Sequence, residues 1–300
     1  MRVGVTGGTG FLGRRLVRRL RERGDVPIVF TRSPAKGANT LGVEFRPWDA
    51  MQPLSPDRIK DLDAVIHLVG ESVLGLWTRK KKQRIHDVRV LGTRHLVDAL
   101  LQCSPRPKAL LSSSASGYYG DGGDTVLTES SPRGSGFLAQ LCSAWENEAA
   151  RATRAGVRVV CLRTTLPLDP GGGILRGLLI PFRLGLGARL GNGQQWMPWI
   201  HIDDWIGLVL HALDDNRVEG PINLVAPQPV RNSEFTRTLA RVLRRPAFLR
   251  VPAFVLNRFP QGREGALVSQ RIMPAKAEAH GFQFRHPNLE ETLEDLLRRD

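Results

Sequence analysis

Cysteine and long apolar runs are scarce in this sequence, and each shortage excludes a class of protein. The three cysteines, Cys103, Cys142 and Cys161, have neither pairing nor metal-ligand spacing, so we expect buried, reduced thiols and no metal. Apolar runs stay below the roughly eighteen residues that cross a bilayer. The first predicted strand begins at Arg2, so we expect no secretory leader, a cytoplasmic protein and no membrane partner.

Acidic residues are also few, with 29 Asp and Glu against 43 Lys and Arg and a net charge of +14. Most of the basic residues are arginines spread along the chain, whereas nucleic-acid binders usually cluster their charge. The densest basic stretch is TRKKKQRIHDVR, residues 78–89. We interpret it as a solvated helix face beside a phosphate-binding site, and no nucleic-acid partner is expected.

Short β-rich runs alternate with helical patterns along the chain. This alternation predicts βαβ units and therefore an α/β fold with a doubly wound parallel sheet. The predicted strands cover residues 2–6, 27–31, 43–47, 64–69, 108–114, 157–163 and 221–225. The predicted helices cover residues 11–23, 79–101, 136–154 and 203–215.

The composition changes after Arg163 to glycine-rich and proline-containing segments mixed with tryptophans. Such segments suit loops that line a pocket. We therefore predict a dinucleotide-binding domain over residues 1–165, with a returning strand near 221–225. Residues 166–300 are predicted to form mainly a smaller, discontinuous substrate lobe, in which Asp203 and Asp204 cap a helix.

Three glycines, Gly7, Gly10 and Gly13, lie between the first predicted strand and the first predicted helix. In that position they allow a tight turn and close approach of the backbone to a pyrophosphate at the helix N-terminus. A purely structural glycine turn is the alternative. The second strand ends in FTRSPAKG, which offers Thr31, Arg32 and Lys36 and no carboxylate. This favours the 2′-phosphate of NADP(H) over NAD(H).

Several motifs together carry a resemblance to a known family: TGGTGFLG, DAVIHLVGE, VRVLGT, SSSASGYYGD and WIHIDDW. With them the chain resembles the extended, atypical short-chain dehydrogenases/reductases of the NAD(P)-dependent epimerase/dehydratase superfamily. GYYGD, PFRLGLG, WIHIDD and a C-terminal region over about residues 247–297 are most similar to a poorly characterised epimerase-like subfamily, sometimes labelled cell-division-inhibitor-like. The motifs cover nearly the whole chain.

The resemblance implies a set of cofactor contacts. Arg89 stands where relatives usually have the asparagine of an N-x-x-G-T motif, and Asp49 stands where the third strand would approach the adenine. The implied contacts are Gly7, Thr9, Gly10, Phe11, Leu12, Gly13, Thr31, Arg32, Asp49, Leu68, Val69, Gly70, Arg84, Arg89, Leu166 and Pro167.

The resemblance fails at the catalytic pair. In the relatives a tyrosine acts as general acid and base, and a lysine four residues later assists it. With Glu146 as the anchor of the register, Leu138 and Cys142 occupy these two positions. The only tyrosines, Tyr118 and Tyr119, are followed four residues later by glycines, so no Tyr-x-x-x-Lys pattern exists.

Two functions follow from this reading. The first is an NADP(H)-dependent oxidoreductase or epimerase that acts on an unidentified small molecule, with Ser113, Ser114 or Tyr118 as the proton donor. The second is a non-catalytic NADP(H)-binding regulator. A smaller alternative is separate chemistry at Cys142, and strand-end packing is the alternative role for the three candidate donors. The predicted substrate-pocket residues are Arg183, Trp196, Trp199 and His201. Packing explains the tryptophans at least as well, and a structural role is favoured over metal ligation for His201.

Overall fold

The computed structural model describes residues 1–33, 42–73, 75–258 and 262–298, and a parallel sheet of seven strands forms the centre of these residues. In order across the sheet, the strands are β12 (Gly220–Leu224), β7 (Arg158–Thr164), β5 (Ala109–Ala115), β4 (Ala64–His67), β1 (Arg2–Thr6), β2 (Val26–Thr31) and β3 (Glu44–Pro47). The central strands are almost entirely buried because apolar residues occupy both faces, as expected of a parallel sheet covered on both sides.

Helices cover both faces of the sheet. They are α1 (Phe11–Glu22), α2 (Arg79–Gln102), α3 (Phe137–Ala150), α4 (Gly173–Arg183), α5 (Ile202–Asp214), α6 (Asn232–Leu243), α7 (Ala253–Asn257), α8 (Ala275–Ala279) and α9 (Leu289–Arg298). On one face α1 and α5 bury side chains such as Leu16 and Val209. On the other face α2 and α3 bury side chains such as Leu100 and Ala149.

Four pairs of short strands surround the central sheet. They are β8 (Leu166–Leu168) with β11 (Trp199–His201), β9 (Ala188–Leu190) with β14 (Leu249–Val251), β10 (Trp196–Met197) with β13 (Val230–Arg231), and β6 (Val126–Leu127) with β15 (Arg271–Ile272). Of these, only β10 and β13 are antiparallel. Three of the pairs join segments that both lie after residue 165, and the pair of β15 with β6 joins this part of the chain to the segment before α3.

The predicted doubly wound α/β fold is confirmed. All seven predicted strands occur in the sheet, and the predicted returning strand is β12, which pairs with β7 at the edge. The predicted helix over residues 136–154 is too long, because α3 ends at Ala150. A 3₁₀ turn, Arg151–Ala155, follows it and stops at Gly156, whose φ of +73° suits glycine. None of the helices in the described part of the chain has the length and apolarity needed to cross a bilayer.

The strand order reverses between β1 and β4. From β1 the chain proceeds outward to β2 and β3, and it then returns to form β4, β5, β7 and β12 on the other side. In open parallel sheets ligands bind at such a reversal, beyond the carboxyl ends of the strands.

Candidate functional site

The glycine turn after β1 forms a cradle that side chains would fill. Gly7 has a φ of +67°, and a Cβ atom on Gly13 would lie 2.2 Å from the carbonyl oxygen of Gly7. Gly10 caps α1 without a side-chain hydrogen bond, and the first turn of α1 holds no acidic residue. The free amides and positive dipole end of α1 therefore face outward without a competing carboxylate, and they suit a pyrophosphate.

A cleft of about 740 Å³, here called the first cleft, opens at this turn and at the carboxyl ends of β1, β2 and β4. The first turns of α2 form its other wall, so the basic stretch at residues 78–89 lies beside the cleft, as interpreted from the sequence. The predicted contacts that line the first cleft are Gly7, Thr9, Gly10, Thr31, Arg32, Asp49, Leu68, Val69, Gly70 and Arg84. Lys36, the other cation of the FTRSPAKG stretch, lies outside the described residues.

A buried histidine supports the floor of the first cleft. The hydroxyl of Thr6 lies 2.8 Å from Nδ1 of His67, and Nε2 of His67 lies 3.1 Å from the hydroxyl of Thr93. Thr6 also accepts hydrogen bonds from the backbone amides of Leu68 and Val69. Burial lowers the pKa of His67 to about 3, so the ring is neutral and holds the end of β4 in place through hydrogen bonds alone.

Six predicted cofactor residues do not line the first cleft. Gly13 packs under the turn, and Leu12 contacts the core on the α1 side. Phe11 and the carbonyl of Pro167 both lie 3.2 Å from a Cβ atom built on Gly173. Leu166 and Pro167 form β8, beside β11.

Arg89, the sixth of these residues, extends from α2 toward α3. Its guanidinium carbon lies 5.3 Å from the centre of the Trp145 ring, and its Nη2 atom lies 3.3 Å from a Cβ atom built on Gly70. Burial lowers the pKa of Arg89, which still stays charged near neutral pH. A cation from α2 therefore lies between the edge of the first cleft and the helix on which the relatives carry their lysine.

The structure joins two of the three candidate proton donors in one polar network. Ser114 donates a 2.6 Å hydrogen bond to Glu146 on α3, and Glu146 accepts two 2.9 Å hydrogen bonds from Arg163 on β7. The guanidinium of Arg163 stacks 3.6 Å from the centre of the Tyr118 ring. Ser113 is half-buried and does not share these hydrogen bonds. Sequence reasoning used Glu146 only to set the register and missed Arg163.

The same network continues away from the first cleft. Arg163 also donates to the hydroxyl of Tyr119, which donates to Asn223 on β12. Burial raises the pKa of Tyr119 to about 12. Burial opposes the charge on Arg163, but the hydrogen bonds that Arg163 donates to Glu146, together with the negative charge of that carboxylate, outweigh it and raise the pKa of Arg163. A charged residue that ends the apolar strand VRVVCLR was the one sequence feature that could have indicated this network.

The backbone after β5 packs against Leu138 and Cys142, the two positions at which the resemblance places the catalytic pair of the relatives. A Cβ atom on Gly117 would lie 3.0 Å from Leu138 Cβ and 3.7 Å from Cys142 Sγ. Burial raises the pKa of Cys142 to about 12. The thiol is therefore protonated near neutral pH, which argues against Cys142 as a nucleophile.

A second cleft of about 450 Å³ lies beside these positions, and sequence reasoning did not predict it. Glu264 and Gln270, from the C-terminal part of the chain, form one wall, and Lys82, Asp121 and Leu138 lie on the others. Glu264 accepts a 3.1 Å hydrogen bond from the backbone amide of Leu138, at the start of α3. Gln270 donates to the carbonyls of two residues in the turn after β5.

The predicted substrate-pocket residues line neither of these two clefts. Arg183 is exposed at the end of α4. Trp199 is fully buried and donates to the carbonyl of Gln228, and Trp196 donates to Asp124. These hydrogen bonds account for the indole N–H groups of both tryptophans within the protein.

His201 is a fully buried helix cap rather than a cleft residue. Its Nδ1 atom accepts the backbone amide of Asp203, and its ring stacks 3.7 Å from that of His286. Asp204 accepts the backbone amides of Arg285 and His286. The expectation that Asp203 and Asp204 cap α5 is therefore wrong, because the imidazole supplies the cap and Asp204 holds a later segment.

Comparisons with known proteins cover the whole chain. A model of the NAD dependent epimerase/dehydratase family matches residues 3–225, and a model of a domain of unknown function (DUF1731) matches residues 251–296. The chain is 36% identical to the epimerase family protein SDR39U1 homolog, chloroplastic, of Arabidopsis thaliana, over 99% of this chain and 87% of that protein. It is 34% identical to the epimerase family protein SDR39U1 of Homo sapiens, over 99% and 100% of the two chains.

Solved structures show the same relationship. The crystal structure of human SDR39U1 (isoform 2) with NADPH superposes with a TM-score of 0.88 at 33% identity, over the full length of both chains. A UDP-galactose 4-epimerase superposes with a TM-score of 0.76 at 20% identity, over 100% of this chain and 99% of that one. The second likeness concerns the fold alone.

Proposed function

Because this chain belongs to the NAD dependent epimerase/dehydratase family, we propose that it binds NADP(H) in the first cleft and acts as an atypical reductase or epimerase on a small molecule. The observation that carries the proposal is the position of Arg32, which follows β2 and lines the same cleft as the glycine turn. The binding of NADPH by the human relative supports it.

The residues of the first cleft fit such a cofactor. The amides at the start of α1 would hold the pyrophosphate, and the guanidinium of Arg32 would pair with the 2′-phosphate, which NAD(H) lacks. Arg84 adds positive charge at the same cleft. When bound, the nicotinamide supplies the hydride donor or acceptor of the reaction.

Ser114 and Tyr118 are the proposed groups for handling the proton. The Glu146 carboxylate fixes the Ser114 hydroxyl, and the Arg163 guanidinium fixes the Tyr118 ring. The Ser114 hydroxyl donates its one proton to Glu146, so it must turn away from Glu146 before it can polarise a carbonyl. The hydroxyl of the Tyr118 ring, which is stacked on Arg163, can donate without that change. Neither replaces the acid strength of the missing pair, so a slow reaction is expected.

We assign the substrate to the second cleft, which Leu138 lines. Ser114 and Tyr118 do not line this cleft, but Gly117, which lies between them in the sequence, does. Its walls combine the ammonium of Lys82 with the carboxylates of Asp121 and Glu264 and the amide of Gln270. A polar molecule with several hydrogen-bonding groups suits these walls better than an apolar one.

The second candidate function is a regulator that binds NADP(H) without turnover. The burial of Cys142 and the apolar side chain of Leu138, at the two positions of the catalytic pair, favour it. In that case the second cleft would serve a partner or an effector rather than a substrate.

One experiment separates the two functions. NADPH binding to the full chain is measured by fluorescence, and NADPH oxidation is then followed with a panel of carbonyl compounds and sugar nucleotides. Turnover by any member of the panel supports the enzyme. Micromolar NADPH binding with no turnover across the panel supports the regulator, and failure to bind either NADPH or NADH rejects both functions.

A further inference from the structure

Exposed apolar side chains concentrate on a surface formed by residues that line neither cleft. The four most exposed large apolar side chains of the described residues are Phe248 (79%), Phe254 (76%), Leu184 (69%) and Ile180 (67%). All four come from two segments, residues 173–190 and 244–258. Single exposed apolar residues are ordinary, but a concentration of this kind marks an interaction surface.

The two segments lie against each other and form one face. Strand β9 of the first segment pairs with β14 of the second, with Ala188 opposite Leu249. A Cβ atom on Gly187 would lie 3.0 Å from Ala247 Cβ, and α7 with Phe254 follows β14 after one residue. We call residues 173–190 and 244–258 the apolar-basic face.

The charge of this face has one sign. Three arginines lie in the first segment and four in the second, and the two segments contain no aspartate or glutamate. All seven arginines are exposed. The face is therefore strongly positive in a chain whose net charge is already +14.

We propose that the apolar-basic face binds the surface of an anionic lipid bilayer. Exposed phenylalanine and leucine side chains insert between lipid headgroups, and arginines around them pair with lipid phosphates. Insertion into a fluid headgroup layer requires no complementary groove, so it suits apolar residues of which two thirds or more of the surface is exposed. The long apolar stems of the arginines can lie along the same interface.

A second copy of the chain is a poor occupant of this face. A two-fold dimer would place the same patch on both partners and bring the two sets of seven arginines together. An acidic protein would match the charge, and the test below includes it. Surface binding departs from the expectation of no membrane partner. It needs no spanning segment, so the absence of a membrane-spanning helix among the described residues does not bear on it.

The test is cosedimentation of the purified full chain with vesicles. One set of vesicles is pure phosphatidylcholine, and the other contains about 30% phosphatidylserine, which gives a negative surface. We expect sedimentation with the anionic vesicles, little with the neutral ones, and release at high salt because the charges are then screened.

Two variants of the face and two matched controls follow. Arg189→Gln with Arg245→Gln should weaken binding roughly fivefold for each arginine, and Phe248→Ser with Phe254→Ser should weaken it roughly tenfold. The controls change exposed residues elsewhere: Arg18→Gln with Arg154→Gln, and Leu76→Ser. The controls should bind like the wild type. Because all these side chains are exposed, circular dichroism should show unchanged folding.

The proposal is overturned if the wild-type chain does not bind anionic vesicles. It is also overturned if the arginine pair variant or the phenylalanine pair variant binds them as well as the wild type. It is also overturned if light scattering shows a dimer that the face variants dissociate, which would make a second copy the occupant. Competition by a soluble acidic protein with no binding to vesicles would assign the face to a protein partner instead.

Discussion

The hydroxyl of Ser114 donates a 2.6 Å hydrogen bond to the carboxylate of Glu146, across the gap between β5 and α3. A carboxylate on α3 therefore orients the hydroxyl. Ser113, one residue earlier, is half-buried and has no hydrogen bond to this carboxylate among the described contacts. The two neighbouring serines thus differ in preorganisation, and they should differ in function.

Ser114→Ala should lower turnover by about 10²-fold, since acid and base groups typically contribute 10² to 10⁴ in rate. The affinity for NADPH should stay within about twofold, because Ser114 does not line the first cleft. The measurement is NADPH oxidation with the most active compound of the carbonyl panel, beside NADPH binding by fluorescence.

Ser113→Ala is the matched control and should keep most of the activity. Tyr118→Phe preserves the ring that stacks on Arg163 and removes only the hydroxyl, so it tests that hydroxyl separately. Full activity in Ser114→Ala would remove this serine from the mechanism, and a large loss in Ser113→Ala would transfer the role to it.

Arg32→Ala should weaken NADPH binding by about 10- to 100-fold, which is the value of a charge-assisted hydrogen bond. NADH binding should change by less than about threefold, because NADH has no 2′-phosphate for the guanidinium to meet. Fluorescence titration with each cofactor measures both constants.

Arg18→Ala on α1 is the control, since this exposed arginine does not line the first cleft. It should leave both constants near the wild-type values. Equal losses of affinity for NADPH and NADH in Arg32→Ala would show that Arg32 does not bind the 2′-phosphate.

Arg163→Met should destabilise the chain by about 3–5 kcal/mol, because it leaves the Glu146 carboxylate buried without its cation. Arg163 is only 3% exposed and donates two hydrogen bonds to that carboxylate, beside the one from Ser114. The control is Arg94→Met, which breaks a more exposed pair with Glu148 and should cost no more than about 1 kcal/mol. Urea unfolding measures the free energy of unfolding of both variants. Similar losses would mean that the buried pair contributes no more to stability than the exposed pair.

The central fold follows from local sequence patterns, whereas the short outer strands do not. A short run rich in valine, such as VRVVCLR, favours a buried strand of a parallel sheet, and β7 occupies that position. A strand of two residues, such as Trp196–Met197, has no periodicity to recognise. Its pairing with Val230–Arg231 depends on tertiary packing, which no local sequence pattern indicates.

The same distinction applies to the site. The glycine turn and Arg32 are each adjacent to a predicted strand, so local spacing places them at the first cleft. Glu146 meets Arg163 across 17 residues of sequence, and Glu264 meets Leu138 across 126. No motif relates such positions, and the second cleft was therefore not predicted.

The three cysteines should resist thiol reagents in the folded chain. All are buried, and burial raises the pKa of both Cys142 and Cys161 to about 12. We expect no reaction with Ellman's reagent under native conditions at about pH 8, and reaction of all three after denaturation. Cys142→Ala should retain any turnover of the wild type, and a fast-reacting native thiol lost in that variant would revive Cys142 as a nucleophile.

His67 should make the free energy of unfolding depend on pH. Its pKa is about 3 in the folded chain because the ring is buried, against about 6.5 when unfolded. Between these values the unfolded chain binds more protons, so the stabilising contribution is complete above about pH 6.5 and falls as the pH is lowered. The loss approaches about 1.4 kcal/mol for each pH unit below about pH 6.

Urea unfolding of the wild type and of His67→Gln, at several values between about pH 7 and pH 4.5, measures this contribution. The variant should be less stable at neutral pH, because the hydrogen bonds to Thr6 and Thr93 are altered. The slope of its free energy of unfolding against pH should be smaller than that of the wild type, by the amount that corresponds to about one bound proton. The control, His86→Gln, changes a histidine whose side chain is 41% exposed and should keep the wild-type slope. Identical slopes in His67→Gln and the wild type would mean that this ring accepts a proton while the chain is folded, and the support of the first cleft by a neutral imidazole would then be wrong.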